Sequence, residues 1–391
     1  MHRRLLGNLL LCLAAALLVG GSYALTRPER PAQVQARVSV ANELGGEATA
    51  GFARALAPRP FSFPADHGPH PEYRTEWWYY TGNLETAQGR HFGFQLTMFR
   101  IGLAPEPVER ASAWGTTQLY MAHLALSDVR GNRFYAFERF SRAALGLAGA
   151  QAKPFRVWLE DWSAEATRDE ALPMRLRAAQ GEVAIDLSLQ SAKPAVLQGT
   201  AGLSQKGSTP GNASYYYSLT RLSTSGTIRI AAEAFDVRGL SWMDREWSTA
   251  ALEEEQVGWD WFALQLADGR EVMFYQLRHR DGSASPFSSG TLIRADGSTR
   301  GLTPDEVHVE VLDRWQSPRD GARYPSRWRL RIPAERLDLE VTPYLADQQL
   351  DVAVRYWEGA VQVRGTSDTQ PISGNGYVEL VGYGDTPGAR R

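Results

Sequence analysis

Two short stretches of the sequence place carboxylates and arginines among tryptophans and tyrosines. One reads PEYRTEWWYYTGNL (71–84) and the other reads LSWMDREWS (240–248). A carboxyl group enclosed by apolar side chains is disfavoured in its ionised form, so its pKa rises and it can hold a proton near neutral pH. Such a group can protonate an electron-rich double bond, and facing aromatic rings stabilise the carbocation that forms. The reaction is then a hydration if water adds, or an isomerisation if a proton leaves.

The alternation of side chains along a β-strand predicts which of these residues act together. In the first stretch, two charges share a face with an indole and a phenol: Arg74, Glu76, Trp78 and Tyr80. In the second stretch, residues 242, 244 and 246 share one face. The candidate proton donors are therefore Glu76, Asp244 and Glu246. The aromatic residues predicted to bind the ligand or stabilise positive charge are Trp78, Tyr80, Trp242, Trp247, Trp259 and Trp261.

The same residues also fit a structural role. A carboxylate removed from water needs a partner, and arginine is the usual one. Arg74 and Arg245 would then pair with the neighbouring acids and close the end of a barrel. Because arginine favours the ionised carboxylate, the carboxyl group farther from arginine is the better proton donor, and the spacing leaves open which one that is.

Histidines are sparse in the sequence. His123 lies in the apolar string YMAHLALSD, where it is either a core side chain or a ligand-binding residue of a pocket. His67 and His70, with Asp66, have a spacing that could ligate a metal, but their proline-rich surroundings favour a solvated loop. The sequence contains no G-x-S-x-G, H-E-x-x-H or phosphate-binding loop. We therefore predict neither a hydrolase triad nor a metal or other cofactor.

Length and charge limit the class of protein. The chain has 391 residues and a formal net charge of −2, with acids and bases interspersed. This length suits about two domains. The sequence has no basic stripe, which argues against binding to nucleic acid.

The N-terminal segment predicts export. Arginines precede the apolar run LLGNLLLCLAAALLVGG, and small residues follow it at Ser22 and Ala24. Residues 1–25 are therefore predicted to be a signal peptide or an N-terminal membrane anchor, and residues 26–58 a linker. We expect a periplasmic or secreted protein, or one anchored to the inner membrane. Because Cys12 is the only cysteine, a cleaved protein would have no thiol.

The remaining sequence predicts β-strands. Strings such as HFGFQLTMFR alternate in polarity, and turn signals such as Asp-Gly recur at short intervals, which is typical of an antiparallel barrel or sandwich. A faint internal repeat lays WWYYTGNLETAQGRHFGFQLTMFR on WDWFALQLADGREVMFYQLR. Trp77 then meets Trp259, and Tyr79 meets Trp261. We predict an all-β protein with two related antiparallel β-barrels in tandem.

Several strings carry a resemblance to a known family. They are HPEYRTEWWYYTGNL, MAHLALSD, LSWMDREWS, GWDWFALQL, YWEGAV and GNGYVELVGY. They resemble the lipocalin-like family that groups carotenoid 1,2-hydratases with AttH-type secreted proteins. The resemblance covers roughly residues 59–388 and implies two lipocalin-like barrels, placed at 59–240 and 241–391, and an apolar ligand.

The two branches of that family imply different functions. One branch hydrates the end double bond of acyclic carotenoids without a cofactor, whereas AttH-type members are associated with ABC transport systems. The hydratase branch carries a histidine in the acidic tryptophan stretch, at the position where this chain has Arg245. That difference favours the AttH branch, although Asp244 and Trp247 match.

Two functions are therefore expected, and the first is favoured. In the first, the protein binds an elongated apolar molecule, isoprenoid or lipid-like, and is accessory to a membrane transporter. In the second, it is a hydratase or isomerase of the carotenoid 1,2-hydratase type. A carboxyl group that reaches an apolar cavity without a bonded arginine would favour catalysis. Carboxylates paired with arginine outside the cavity would favour the carrier.

Overall fold

The chain folds almost entirely into β-strands. The computed structural model describes residues 49–106, 111–168, 171–249, 252–253 and 255–384. Within this part of the chain, the strands form two antiparallel sheets, which confirms the predicted all-β class. The predicted signal peptide or anchor and most of the predicted linker lie outside the described residues. No described helix is long and apolar enough to span a membrane.

Each half of the chain contributes one sheet. The first sheet contains β1 (Thr75–Glu85), β2 (His91–Gly102), β3 (Gln118–Asp128), β4 (Arg133–Arg142), β5 (Ala148–Ala152), β6 (Phe155–Leu159), β7 (Trp162–Ala166), β8 (Met174–Gln180), β9 (Val183–Ser191), β10 (Val196–Leu197), β11 (Leu203–Gln205), β12 (Ala213–Ile230) and β13 (Glu233–Ser248). The second sheet contains β14 (Gln256–Leu266), β15 (Glu271–His279), β16 (Ser289–Ile293), β17 (Thr299–Leu302), β18 (His308–Gln316), β19 (Arg323–Ile332), β20 (Leu337–Pro343), β21 (Gln349–Asp351), β22 (Arg355–Ser367) and β23 (Gln370–Leu380). In the described part of the chain, short 3₁₀ helices occupy Ala65–His67, Pro304–Glu306 and Pro333–Glu335.

The two sheets share one topology. The first has the order β4-β3-β2-β1-β13-β12-β9-β8-β7-β6-β5, and the second has the order β17-β16-β15-β14-β23-β22-β20-β19-β18. In both, the first strand lies between the second and the last. The first sheet curls until β6 contacts β2, β3 and β4, which nearly closes it into a barrel. The topology therefore extends the internal repeat from one hairpin to most of each half.

The border between the two halves lies later in the chain than predicted. β13 pairs with β1 from Arg238 opposite Glu85 to Ser248 opposite Thr75. The predicted border after Leu240 thus falls inside a strand of the first sheet. The residues of this stretch are paired in the ladder throughout.

Each sheet fills its own interior with side chains. On β1, Trp78 and Tyr80 point into the core of the first sheet, whereas Trp77 and Tyr79 point toward the second sheet. The second core is built around residues such as Phe262, Trp328 and Trp357. A third cluster of apolar side chains, with Trp242 and Trp261, lies where the sheets meet. Core residues therefore fill the interior of each sheet.

Candidate functional site

A cavity of about 140 Å³ lies between the two sheets. Aromatic side chains form much of its wall: Trp77, Tyr79, Phe99, Tyr216, Trp259, Trp261, Tyr275 and Tyr356. Trp77, Phe99, Leu252 and Trp259 are only half-buried and border the cavity. A cavity of this volume admits a group about the size of benzene. It therefore suits one end of an elongated apolar molecule.

Asp244 is a carboxyl group of this cavity with no cationic partner among the described residues. Its side chain is almost fully buried. Oδ1 accepts hydrogen bonds from Ser218 Oγ (2.5 Å) and Trp242 Nε1 (2.6 Å), and Oδ2 accepts one from Tyr216 Oη (2.6 Å). Burial raises the pKa of Asp244 to about 7, and the three hydrogen bonds offset part of that effect. The carboxyl group can therefore hold a proton near neutral pH and release it into the cavity.

The hydrogen bonds around Asp244 have a fixed direction. Trp261 Nε1, which can only donate, lies 3.2 Å from Tyr216 Oη. Tyr216 therefore accepts from the indole and donates its own proton to Asp244. This chain of donors comes from both sheets, so the sheet interface itself stabilises the carboxylate that remains after proton release.

Replacing Trp242 with phenylalanine is expected to raise the pKa of Asp244 above about 7, because one of its three donors is lost. The infrared carboxyl band of Asp244, followed across pH, measures this shift. Trp261→Phe is the matched control, since that indole reaches Asp244 only through Tyr216 and its loss should shift the pKa less. An unchanged or lowered pKa in Trp242→Phe would contradict the assignment.

Glu246 shares the face of Asp244 but has a cationic partner. It accepts a hydrogen bond from Ser214 Oγ, and Lys206 Nζ lies 3.4 Å from its Oε1. The ammonium of Lys206 also lies 4.0 Å from the centre of the Tyr275 ring. Of the two carboxyl groups predicted on this strand, Asp244 is therefore the better proton donor.

The surroundings of Glu76 favour the structural role over the predicted role of proton donor. Its carboxylate is fully buried at the end of the first barrel, bound by the guanidinium groups of Arg100 and Arg245. The backbone N–H of His70 also donates to it (3.0 Å to Oε2). The two guanidinium groups hold the pKa of Glu76 well below its usual range, against the opposing effect of burial. Glu76 is therefore an ionised structural residue.

Three aromatic residues of the predicted ligand site lie instead around Glu76, at the end of the first barrel. Trp78 donates its indole N–H to the carbonyl of His67 (2.8 Å), and the Arg245 guanidinium lies 4.0 Å from a Trp78 ring centre. The ring of Trp247 stacks on His70 with 3.8 Å between centroids. Tyr80 is fully buried in the same core. The geometry thus supports the structural alternative for Arg245, and for this end of the barrel as a whole.

The structure brings four other predicted residues, Trp242, Trp259, Trp261 and His123, to the cavity or to its acid. Trp259 and Trp261 line the cavity, and Trp242 donates a hydrogen bond to Asp244. His123 also lines it, with Nδ1 2.7 Å from Tyr356 Oη. Arg74 is nearly buried, and its backbone N–H donates to Thr249 Oγ1 (3.1 Å).

Sequence reasoning missed two carboxyl groups of the cavity, Glu358 and Glu379. They lie in the strings YWEGAV and GNGYVELVGY, which served only to support the family resemblance. The strand pairing of the two sheets shows the relation to Asp244 that the sequence did not. Tyr79 pairs with Asp244, and its repeat equivalent Trp261 pairs with Glu379.

Fold and site together define a class: a protein of two duplicated antiparallel sheets with an acid-bearing aromatic cavity between them. The chain belongs to the AttH-like family, whose model matches residues 54–383. A Nitrosomonas europaea protein provisionally named AttH is 36% identical, with a TM-score of 0.75 over 85% of this chain and all of that one.

Relatives with other names are more distant. Kievitone hydratase of Fusarium solani subsp. phaseoli is 25% identical over 223 residues, which is 55% of this chain and 61% of that protein. The match therefore spans less than two thirds of that relative. The crystal structure of kievitone hydratase from Nectria haematococca has a TM-score of 0.63 and 17% identity, over 85% of this chain and 96% of that one. CghA with Sch210972 gives a TM-score of 0.54 and 14% identity, over 88% and 97%. The last two share the fold.

Proposed function

We propose that the protein is a hydratase that adds water to an electron-rich double bond at the end of an elongated apolar molecule. The observation that carries this proposal is Asp244, a carboxyl group that reaches an aromatic cavity without a bonded arginine. The likeness to kievitone hydratase supports the same reaction type.

The first step is proton transfer from Asp244 to one carbon of the double bond. The positive charge that forms on the other carbon faces the π-clouds of Trp77, Trp259 and Trp261, which stabilise a cation. Water then forms the new C–O bond and loses a proton. The sum is one alkene and one water giving one alcohol, which needs neither an oxidant nor a reductant.

The sequence favoured binding without catalysis. A carboxyl group that reaches the cavity without a bonded arginine favours catalysis instead, and Asp244 is such a group. The acid–arginine cluster around Glu76 is structural, but Asp244 is separate from it. A role beside a membrane transporter stays a prediction.

The test is a hydration assay with three probes: kievitone, farnesol and the acyclic carotenoid lycopene. Each is incubated with the purified protein in oxygen-labelled water and analysed by mass spectrometry. We expect at least one probe to gain one labelled water as an alcohol. Probes that quench tryptophan fluorescence on binding but return unchanged would instead favour the carrier.

A further inference from the structure

Glu358 and Glu379 form a second group of acids on the wall that the second sheet contributes to the cavity. They lie directly opposite each other on β22 and β23. Directly paired residues of an antiparallel ladder have Cβ atoms about 4.5–5.5 Å apart. The two carboxyl groups are therefore neighbours, and Asp244 reaches the same cavity from the first sheet.

The internal repeat relates this pair to Asp244. Tyr79 lies between Asp244 on β13 and Thr97 on β2, and Trp261 lies between Glu379 on β23 and Tyr275 on β15. All the flanking positions line the cavity. Each half of the molecule thus contributes one acidic centre at the equivalent place of its sheet.

Burial raises the pKa of Glu358, and the hydroxyl groups of Tyr79 and Tyr356 act against that effect. Glu358 is 1% exposed, and neither of its carboxyl oxygens accepts a hydrogen bond of ordinary geometry from any described residue. Glu379 accepts one from Trp259 Nε1 (3.2 Å). A buried carboxyl group without a well-formed hydrogen bond is costly, so Glu358 has hydrogen-bonding capacity left for a bound molecule.

Two adjacent carboxyl groups in a cavity cannot both be ionised at low cost. Burial and the charge of Glu379 raise the pKa of Glu358 well above its usual range, while burial raises the pKa of Glu379 to about 7. Glu358 therefore keeps the proton that the pair shares, and Glu379, held by the Trp259 indole, is the member that ionises first.

We propose that the Glu358–Glu379 pair is the second catalytic centre of the hydration, and that it binds the water molecule and accepts its proton. This inference rests on the proposed function. The C–O bond forms as the water O–H bond breaks, and the proton passes to the ionised member of the pair. Asp244 has by then lost one proton and the pair has gained one. Exchange of both with solvent, after the product leaves, restores the starting state.

The experiment separates the two centres by running the reaction in deuterated water. Protonation of the alkene by Asp244 needs no second centre, and reversal of that step exchanges hydrogen for deuterium in the recovered alkene. We expect Glu379→Gln and Glu358→Gln to lose hydration by about 10²-fold or more while still exchanging deuterium. Asp244→Asn should lose both reactions. The matched control is Glu340→Gln, an exposed glutamate of β20.

Binding of N,N-dimethyloctylamine gives a readout that needs no turnover. Its ammonium stands in for the carbocation, and an ionised pair attracts it. We expect Glu379→Gln to weaken its binding about tenfold or more, an effect that a purely structural role would not produce. Glutamine variants that hydrate and bind the amine like the wild type would overturn the inference. A wild type that hydrates none of the probes would overturn the proposed function. If Glu379→Gln then bound the amine as tightly as the wild type, the inference of an ionised Glu358–Glu379 pair would be overturned as well.

Discussion

Asp244→Asn is expected to lower the rate of alkene hydration by about 10²–10⁴-fold, the usual contribution of a positioned general acid. Asparagine keeps the shape of the side chain and can still accept from Ser218 and Trp242, but it has no acidic proton to transfer. The measurement is the initial rate of alcohol formation, together with substrate binding followed by tryptophan fluorescence. Binding should change little, because the loss concerns the transition state.

The matched control for this variant is Asp186→Asn, the same change in a partly exposed pair with Arg175 on the outside of β9. Its rate should equal that of the wild type. In the wild type, the rate should fall as pH rises through about 7, because Asp244 is then ionised. Full hydration activity in folded Asp244→Asn would remove Asp244 from the mechanism.

Glu76→Gln is expected to lower the free energy of unfolding by about 3–5 kcal/mol, because it leaves two buried guanidinium groups without their carboxylate. Arg100 and Arg245 are both fully buried. Denaturant unfolding measures the loss. The matched control is Glu310→Gln, which removes an exposed carboxylate 3.7 Å from Arg331. An exposed pair of this kind contributes about 0–1 kcal/mol.

Two further measurements show whether the charges at this end act as a unit. Because the folded pKa of Glu76 is depressed, its contribution is present above the unfolded value, about 4.3, and is lost as pH falls below it. Glu76→Gln should therefore lose less stability on acidification than the wild type. The variant Glu76→Leu, Arg100→Met and Arg245→Met should recover much of the stability, since no charge remains buried. A triple variant with a lower free energy of unfolding than Glu76→Gln would show that the three charges do not act as a unit.

The cavity lies where equivalent faces of the two duplicated sheets meet. Equivalent strands of the two sheets present their outward faces to each other, and both outward faces carry aromatic residues and an acid. Neither sheet encloses the cavity alone. A substitution of Trp261 on the second sheet therefore affects Asp244 on the first sheet through Tyr216.

The sequence by itself determined the β class, the internal repeat and the partition of residues between strand faces. The period of two is a local property of the backbone, so the grouping of Trp242 with Asp244 and of Trp78 with Glu76 could be read directly. The strings of the resemblance also identified the family before any fold was known.

Only the tertiary structure decided which face was core and which face was cavity. Both faces of β1 are aromatic, so periodicity could not distinguish the packed interior at Trp78 from the cavity wall at Trp77. The two arginines that pair with Glu76 are Arg100 on β2 and Arg245 on β13. The register of these strands places both guanidinium groups beside the carboxylate. The pKa of a carboxyl group depends on such neighbours in space, which lie far away along the chain. For that physical reason Asp244 and Glu76 look alike in the sequence and differ in the fold.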